Sequence, residues 1–266
     1  MKPSNTTSKV ALVTGAASGL GYELALLLAR DNHDLILVDI DLDGLSQAKD
    51  TIENEFDSNV KLLFKDLSEP NVAQAIFDEI QDTQIDVLIN NAGFGIFGTF
   101  NDTDWQRESE MLHLHILTTT HLTKLLLQGM VDRGSGRILN MSSLAAFQPG
   151  PLMSLYYASK AYILSFSEAI ANELKDTGVT VTVLCPGQTK TSFQEVVSQG
   201  CASNKISFNM GDAQEVALYG YEAMFKGKTV AIPGAINKML SKLPRFVSRG
   251  AATSIVRKIQ EKNRTD

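Results

Sequence analysis

Short runs rich in Val, Ile and Leu alternate along the chain with longer segments whose apolar residues return every three or four positions. Residues 10–14, 35–38, 60–64, 86–89, 137–141, 179–184 and 228–232 read as strands. The last is short and rests on the β-branched pair Thr229 and Val230. Between the strands, the 3.6-residue period predicts helices over 22–30, 42–56, 69–83, 102–132 and 156–174, with Pro70 suited to a first helical turn. Regular strand–helix alternation implies an α/β fold: a doubly wound (Rossmann) parallel sheet of seven strands with helices on both faces. No repeat, linker or low-complexity tract divides the chain, so a single domain is expected over residues 1–266, with its core at 8–232. Residues 188–211 are polar with isolated apolars and little period, a length of chain expected to form a substrate lid. Asp212-Ala213-Gln214-Glu215 follows as a capping box opening a further helix.

Composition narrows the class. With 44% hydrophobic and 20% charged residues in 266, the chain can bury a large core. It has no uninterrupted apolar stretch of membrane-spanning length, and residues 1–10 are polar, without the apolar segment of an export signal, so a cytoplasmic protein is expected. The net charge of −6 argues against a nucleic-acid partner. That charge is unevenly spread: residues 226–266 hold ten Lys plus Arg against two acids, a local +8 that leaves −14 elsewhere. In the basic extension, 233–266, Phe246, Val247, Ala251, Ile255, Val256 and Ile259 recur at helical spacing among Arg249, Arg257, Lys258 and Lys262. The reading favoured by that pattern is a helix packed on its own or a partner subunit with a solvated basic face. The lesser alternative is peripheral contact with an anionic membrane. Cys185 and Cys201 are expected to be unpaired, and the spacing of His113, His115 and His121 does not converge on one helical face, so no metal site is expected.

Candidate chemistry starts at the first strand, which runs into Gly15-Ala16-Ala17-Ser18-Gly19-Leu20-Gly21 and then a helix, the order a dinucleotide-binding turn requires. Glycines let the backbone bend tightly near a pyrophosphate, whose charge is met by free N–H groups at the helix start. Asp39 ends the second strand, eighteen residues after Gly21, where a carboxylate can accept both adenosine ribose hydroxyls and would repel a 2′-phosphate. No basic residue stands directly after Asp39 or in the turn at Ala17 and Ser18, so NAD is expected over NADP. Asp66, followed by Leu67, Asn90 and Ser143 stand at further strand ends, where ligands of such sheets sit. Ser142 and Ser143 point to opposite sides, so only one can face a site. Tyr156 and Lys160 are four apart on a predicted helix, which places a phenol beside an ammonium; a fixed cation favours the phenolate and makes the pair a proton-transfer device. Tyr157 has Ala161 at the corresponding position and no cation. Phe94, Ile96, Phe97, Phe147, Met153, Leu155, Phe193, Val196 and Phe208 lie in loops expected to surround the site, which suits a small apolar or amphipathic alcohol or ketone.

These motifs together resemble the short-chain dehydrogenase/reductase superfamily. Thr14 to Gly21 matches its Thr-Gly-x-x-x-Gly-x-Gly turn, Asn90-Asn91-Ala92-Gly93 its motif after the fourth strand, and Ser143 with Tyr156 and Lys160 its Ser, Tyr-x-x-x-Lys constellation. Pro186-Gly187, with Thr189 and Thr191, is similar to the segment that touches the nicotinamide in that family. The likeness implies an NAD(P)-dependent oxidoreductase interconverting a secondary alcohol and a ketone, usually a homodimer or homotetramer. It implies that Tyr156 is the general acid/base, that Ser143 holds the substrate oxygen, and that Lys160 lowers the Tyr156 pKa and binds the nicotinamide ribose. One departure stands out: aligning Met111-Leu112-His113-Leu114-His115 puts His115 where the family commonly has an asparagine that helps hold a water beside the lysine. His115 is either part of that proton relay or a packing residue. A dinucleotide-binding sensor or scaffold with little turnover remains the alternative from another class, and a 3-oxoacyl reductase the narrower rival.

Overall fold

The computed structural model describes residues 8–189 and 211–262. Seven strands, β1 (Lys9–Thr14), β2 (His33–Asp39), β3 (Val60–Phe64), β4 (Val87–Asn90), β5 (Gly136–Met141), β6 (Val179–Leu184) and β7 (Val230–Ala231), form one parallel sheet in the order β3-β2-β1-β4-β5-β6-β7. Strand alternation splits their side chains between two cores. Ala11 and Val13 of β1 face one cluster with α1 (Gly19–Arg30) and α2 (Leu42–Glu55), whereas Leu12 joins the other with α3 (Val72–Glu79). With both faces covered, the strands read as continuous apolar runs. The strand order reverses between β1 and β4, and that switch opens a crevice at the carboxyl ends of the strands.

The remaining helices are α4 (Trp105–Leu112), α5 (Thr119–Asp132), α6 (Ser154–Glu173), α7 (Ala213–Phe225), α8 (Ala235–Lys242) and α9 (Arg249–Lys262). Asp212 caps α7 by accepting from Gln214 N and Glu215 N, as the sequence predicts. A buried polar chain ties the sheet to two helices: Asn90 Nδ2 donates to Asn140 Oδ1 (2.9 Å) and Thr123 Oγ1 (3.0 Å), and Asn140 Nδ2 donates to Ser167 Oγ (2.9 Å). Asn90 is therefore a bridge within the core, not a wall of the crevice.

Three expectations need correction. The helix predicted over 69–83 begins only at Val72, because Asn71 adopts a left-handed φ of 63° that separates Pro70 from the helix. The segment 102–132 is not one α-helix: α4 and α5 are joined by a π-helical turn, His113–Thr118. The last strand shrinks from 228–232 to Val230–Ala231. Most of the expected lid, with Thr191, Phe193, Val196, Cys201 and Phe208, lies outside the described residues.

Candidate active site

The crevice holds a cavity of about 610 Å³. Its first half is built on the β1–α1 turn. Gly15 and Gly19 sit at φ +65° and +57°, a region side chains disfavour, and a Cβ on Gly21 would lie 1.9 Å from Gly15 O. Asn91 props this turn: its Nδ2 donates to Thr14 O (3.0 Å) and Gly15 O (2.9 Å), while Thr14 Oγ1 accepts from Asn91 N and Ala92 N. The Ser18 side chain does not cap α1, and no acid stands in its first turn, so the dipole and free N–H groups face the cavity beside Gly19 and Leu20. Asp39 accepts from Ala17 N (2.9 Å) through one oxygen and from Ile40 N (2.7 Å) and Asp41 N through the other, which aims its carboxylate across the turn. Asp66, held by Ser68, and Leu67 continue the same wall. Lys65 also lines this end, with its ammonium 2.9 Å from Glu79. A close-approach glycine turn, an uncapped helix start and a strand-end carboxylate fit a dinucleotide's pyrophosphate and ribose.

The second half gathers Ser143, Tyr156, Lys160, Pro186, Gly187 and Thr189. Of the two serines, Ser142 donates to Lys160 O (2.8 Å) and props α6. The Ser143 hydroxyl accepts from Ala145 N (3.1 Å) and hydrogen-bonds Tyr156. Tyr156 is buried, and burial pushes its phenol up to about 12, against the opposing effect of Ser143. The expected depression by Lys160 is absent. Lys160 Nζ stands 5.7 Å from the Tyr156 ring centroid and donates to Met141 O (3.0 Å), while its own pKa is pushed down to about 8 by burial. Desolvation here outweighs the attraction that the four-residue spacing suggests.

His115 lies in the π-helical turn, 2% exposed, and reaches the same place. Ser159 Oγ donates to Tyr156 O (2.8 Å), so it accepts from His115 Nδ1–H (2.9 Å). That tautomer leaves Nε2 a bare acceptor, buried and without a partner among the described residues. A Cβ on Gly93 would stand 2.6 Å from His115 Nε2 and 3.5 Å from Lys160 Nζ, so imidazole and ammonium converge over this glycine. Burial and the Lys160 charge hold His115 well below the usual histidine range, hence neutral. The π turn, an insertion often found at functional sites, sets this register.

An apolar wall completes the cavity: Phe94 and Met153 line it, and Ile96, Phe97 and Leu155 pack behind them. Phe147 departs from expectation and packs instead with Ile163, Val183 and Cys185. Several lining residues escape the local sequence pattern. Arg107 stacks its guanidinium 4.6 Å from the Phe94 ring centroid, Gln260 of α9 donates to Tyr157 Oη (2.9 Å), and Tyr157 itself borders the cavity. Gln260 and Tyr157 are 103 positions apart, and no periodicity signals their meeting. Among the described residues, no cluster of His, Cys, Asp or Glu could hold a metal ion.

Comparison with known proteins agrees with this geometry. The chain is 32% identical over 256 residues to ketoacyl reductase HetN of Nostoc sp., covering 94% of this chain and 88% of that one. It is 33% identical over 190 residues to mouse 17-beta-hydroxysteroid dehydrogenase type 3, covering 71% of this chain and 62% of the relative. Among solved structures, a short-chain dehydrogenase from Sphingobium yanoikuyae in complex with NADPH superposes with a TM-score of 0.80 at 26% identity, over 91% of this chain and 97% of that one. The short chain dehydrogenase family model matches residues 9–202, and with the glycine turn, the Ser143–Tyr156–Lys160 grouping and the seven-stranded sheet in place, the chain belongs to that oxidoreductase family.

Proposed function

We propose that this protein is an NAD(H)-dependent oxidoreductase that interconverts a secondary alcohol and a ketone, with Tyr156 as general acid/base. The observation that carries the reading is the meeting of Ser143, Tyr156 and Lys160 in one cavity with an uncapped glycine turn. When bound, the cofactor supplies or accepts the hydride and, oxidised, adds positive charge. The chain's own residues handle the proton. In reduction, the Ser143 hydroxyl and the Tyr156 phenol meet the substrate oxygen, and Tyr156 gives its proton to that oxygen as negative charge develops there. With its pKa pushed up to about 12 the phenol is protonated at neutral pH and so holds the proton this step transfers. Lys160 then returns a proton to the phenolate and recovers one from solvent through the open cavity, while neutral His115, its Nδ1 proton given to Ser159, offers Nε2 near Lys160 only as an acceptor.

Preference for NAD is supported by Asp39, whose carboxylate would repel a 2′-phosphate, and by Lys65 being engaged with Glu79. Gly15, Ser18, Gly19 and Leu20 would hold the pyrophosphate side, with Gly21 letting the turn close behind them, Asp66 and Leu67 the adenine side, and Asn91, Ala92, Gly93, Pro186, Gly187 and Thr189 the nicotinamide side. The wall of Phe94 and Met153 suits a small apolar or amphipathic substrate. A narrower second reading, a 3-oxoacyl reductase, is favoured by the likeness to ketoacyl reductase HetN along nearly the whole chain. Trp105, Leu117 and Tyr162, exposed on α4, the π turn and α6, suit assembly into a homodimer or homotetramer. The deciding experiment is a screen of secondary alcohols, ketones and 3-oxoacyl thioesters with NAD(H) and NADP(H) in parallel. Turnover with NAD(H) exceeds that with NADP(H), and Tyr156→Phe lowers it by about 10²–10⁴-fold. Cofactor binding with no turnover on any compound would instead assign a sensor.

A further inference from the structure

Helix α8 turns its apolar stripe the wrong way. Ile236, Met239, Leu240 and Leu243 fall at i, i+3, i+4 and i+7, the spacing that normally packs a helix on its core, yet they are 47%, 63%, 42% and 49% exposed. Ser241 is the residue buried instead. Phe246 follows at 81% exposure, with Val247 beside it, and α9 leaves Ile255 and Ile259 in solvent while burying Ala252 and Val256. Lys238, Lys242, Arg245, Arg249, Arg257 and Lys258 are exposed among them. An exposed apolar patch of this kind marks an interaction surface, and its charge identifies what it meets.

We infer that the extension formed by α8 and α9 docks on an anionic lipid surface, Met239, Leu243 and Phe246 entering the headgroup–acyl boundary and the lysines and arginines meeting lipid phosphates. The charge supports this occupant over a second copy of the chain. A two-fold contact would press the same patch against itself, and residues 226–266 carry a local +8 in a chain of net −6. An anionic bilayer offers both complements at once, an apolar layer under a negative surface. The helix that turns Ile255 and Ile259 outward also brings Gln260 to the cavity, so the extension that docks includes a residue of the cavity lining.

The test is cosedimentation of the full chain with vesicles of phosphatidylcholine alone and of phosphatidylcholine containing phosphatidylglycerol, at low and high salt. Single variants Met239→Glu and Phe246→Glu accompany the parent, with thermal midpoints equal to the parent's as the check on folding. The parent binds the anionic vesicles only, binding weakens with salt, and each variant partitions about tenfold less, equivalent to ~1.4 kcal/mol. Absence of binding, or equal binding by parent and variants, overturns the inference. A concentration-dependent mass that disappears in Phe246→Glu, without vesicle binding, assigns the face to a second copy and overturns it too. The readout needs no turnover, so its failure leaves the proposed oxidoreductase activity standing.

Discussion

Tyr156 and Lys160 lie on the same helix and are both taken out of water, and burial disfavours the charged form of each: the phenol rises to about 12 and the ammonium falls to about 8. The Lys160 shift has a measurable consequence for stability. Its folded pKa lies below the ordinary value of 10.5, so between about pH 8 and 10.5 the unfolded chain binds more protons, and stability rises with pH through that window. Below pH 8 the penalty is fully present, roughly 3 kcal/mol at 1.36 kcal/mol per unit. Lys160→Met removes it, loses the bond to Met141 O worth about 1 kcal/mol, and is expected to raise Tm at pH 7 by several degrees at about 2–4 °C per kcal/mol, while turnover is lost. Differential scanning fluorimetry reads this directly; a lower Tm would mean the ammonium stabilises the fold.

His115 gives a second window of the same sign, on the acid side. Held neutral beside Lys160, Ser159 and Tyr156, it takes up a proton only on unfolding, so stability falls as pH drops below about 6.5. His115→Asn should flatten the fall of Tm between pH 7 and pH 5, the slope that remains coming in part from the buried His33, whose pKa is also lowered. An unchanged slope would place the acid sensitivity elsewhere.

Among the elements, the π turn between α4 and α5 decides how close a side chain comes to Lys160. Its partner is the loop after β4, where Gly93 leaves room for the imidazole. Gly93→Ala puts a methyl 2.6 Å from His115 Nε2 and is expected to destabilise by about 1–3 kcal/mol through overpacking. Combined with His115→Ala, the methyl no longer meets the ring, so the double variant should lose less than the sum of the singles, with a coupling of about 1 kcal/mol or more by urea unfolding. Additive losses would show that loop and turn do not share this contact. The same two elements explain why a single long helix was expected over 102–132: its apolar period continues through the insertion, and one extra residue in a turn leaves little trace in a 3.6-residue pattern.

For the molecule as a whole, the division of labour across the crevice is testable before any substrate is identified. A ligand that binds only the folded chain stabilises it by about 2.7 kcal/mol at a hundred times its Kd. At equal concentrations NAD should therefore raise Tm more than NADP does, and Asp39→Ala should shrink or reverse that difference. Equal shifts in the parent would remove Asp39 as the discriminating group. Much of this architecture was legible in the chain because its signals are local: strand runs, helical period, glycine spacing, an acid at a strand end, and a tyrosine four residues before a lysine. Those features determined the seven strands and brought Gly15, Asp39, Ser143, Tyr156 and Lys160 to one crevice, since each depends on neighbours within a turn or at the end of its own strand. Only the tertiary structure decided which groups lose water and which distant ones meet. Gln260 reaches Tyr157 across 103 residues, Asn91 holds a turn 76 residues earlier, and the apolar stripe of α8 faces solvent although its period is that of a core helix. Periodicity reports that a face is apolar without reporting what covers it, and a four-residue spacing reports proximity without the burial that here overrides the charge.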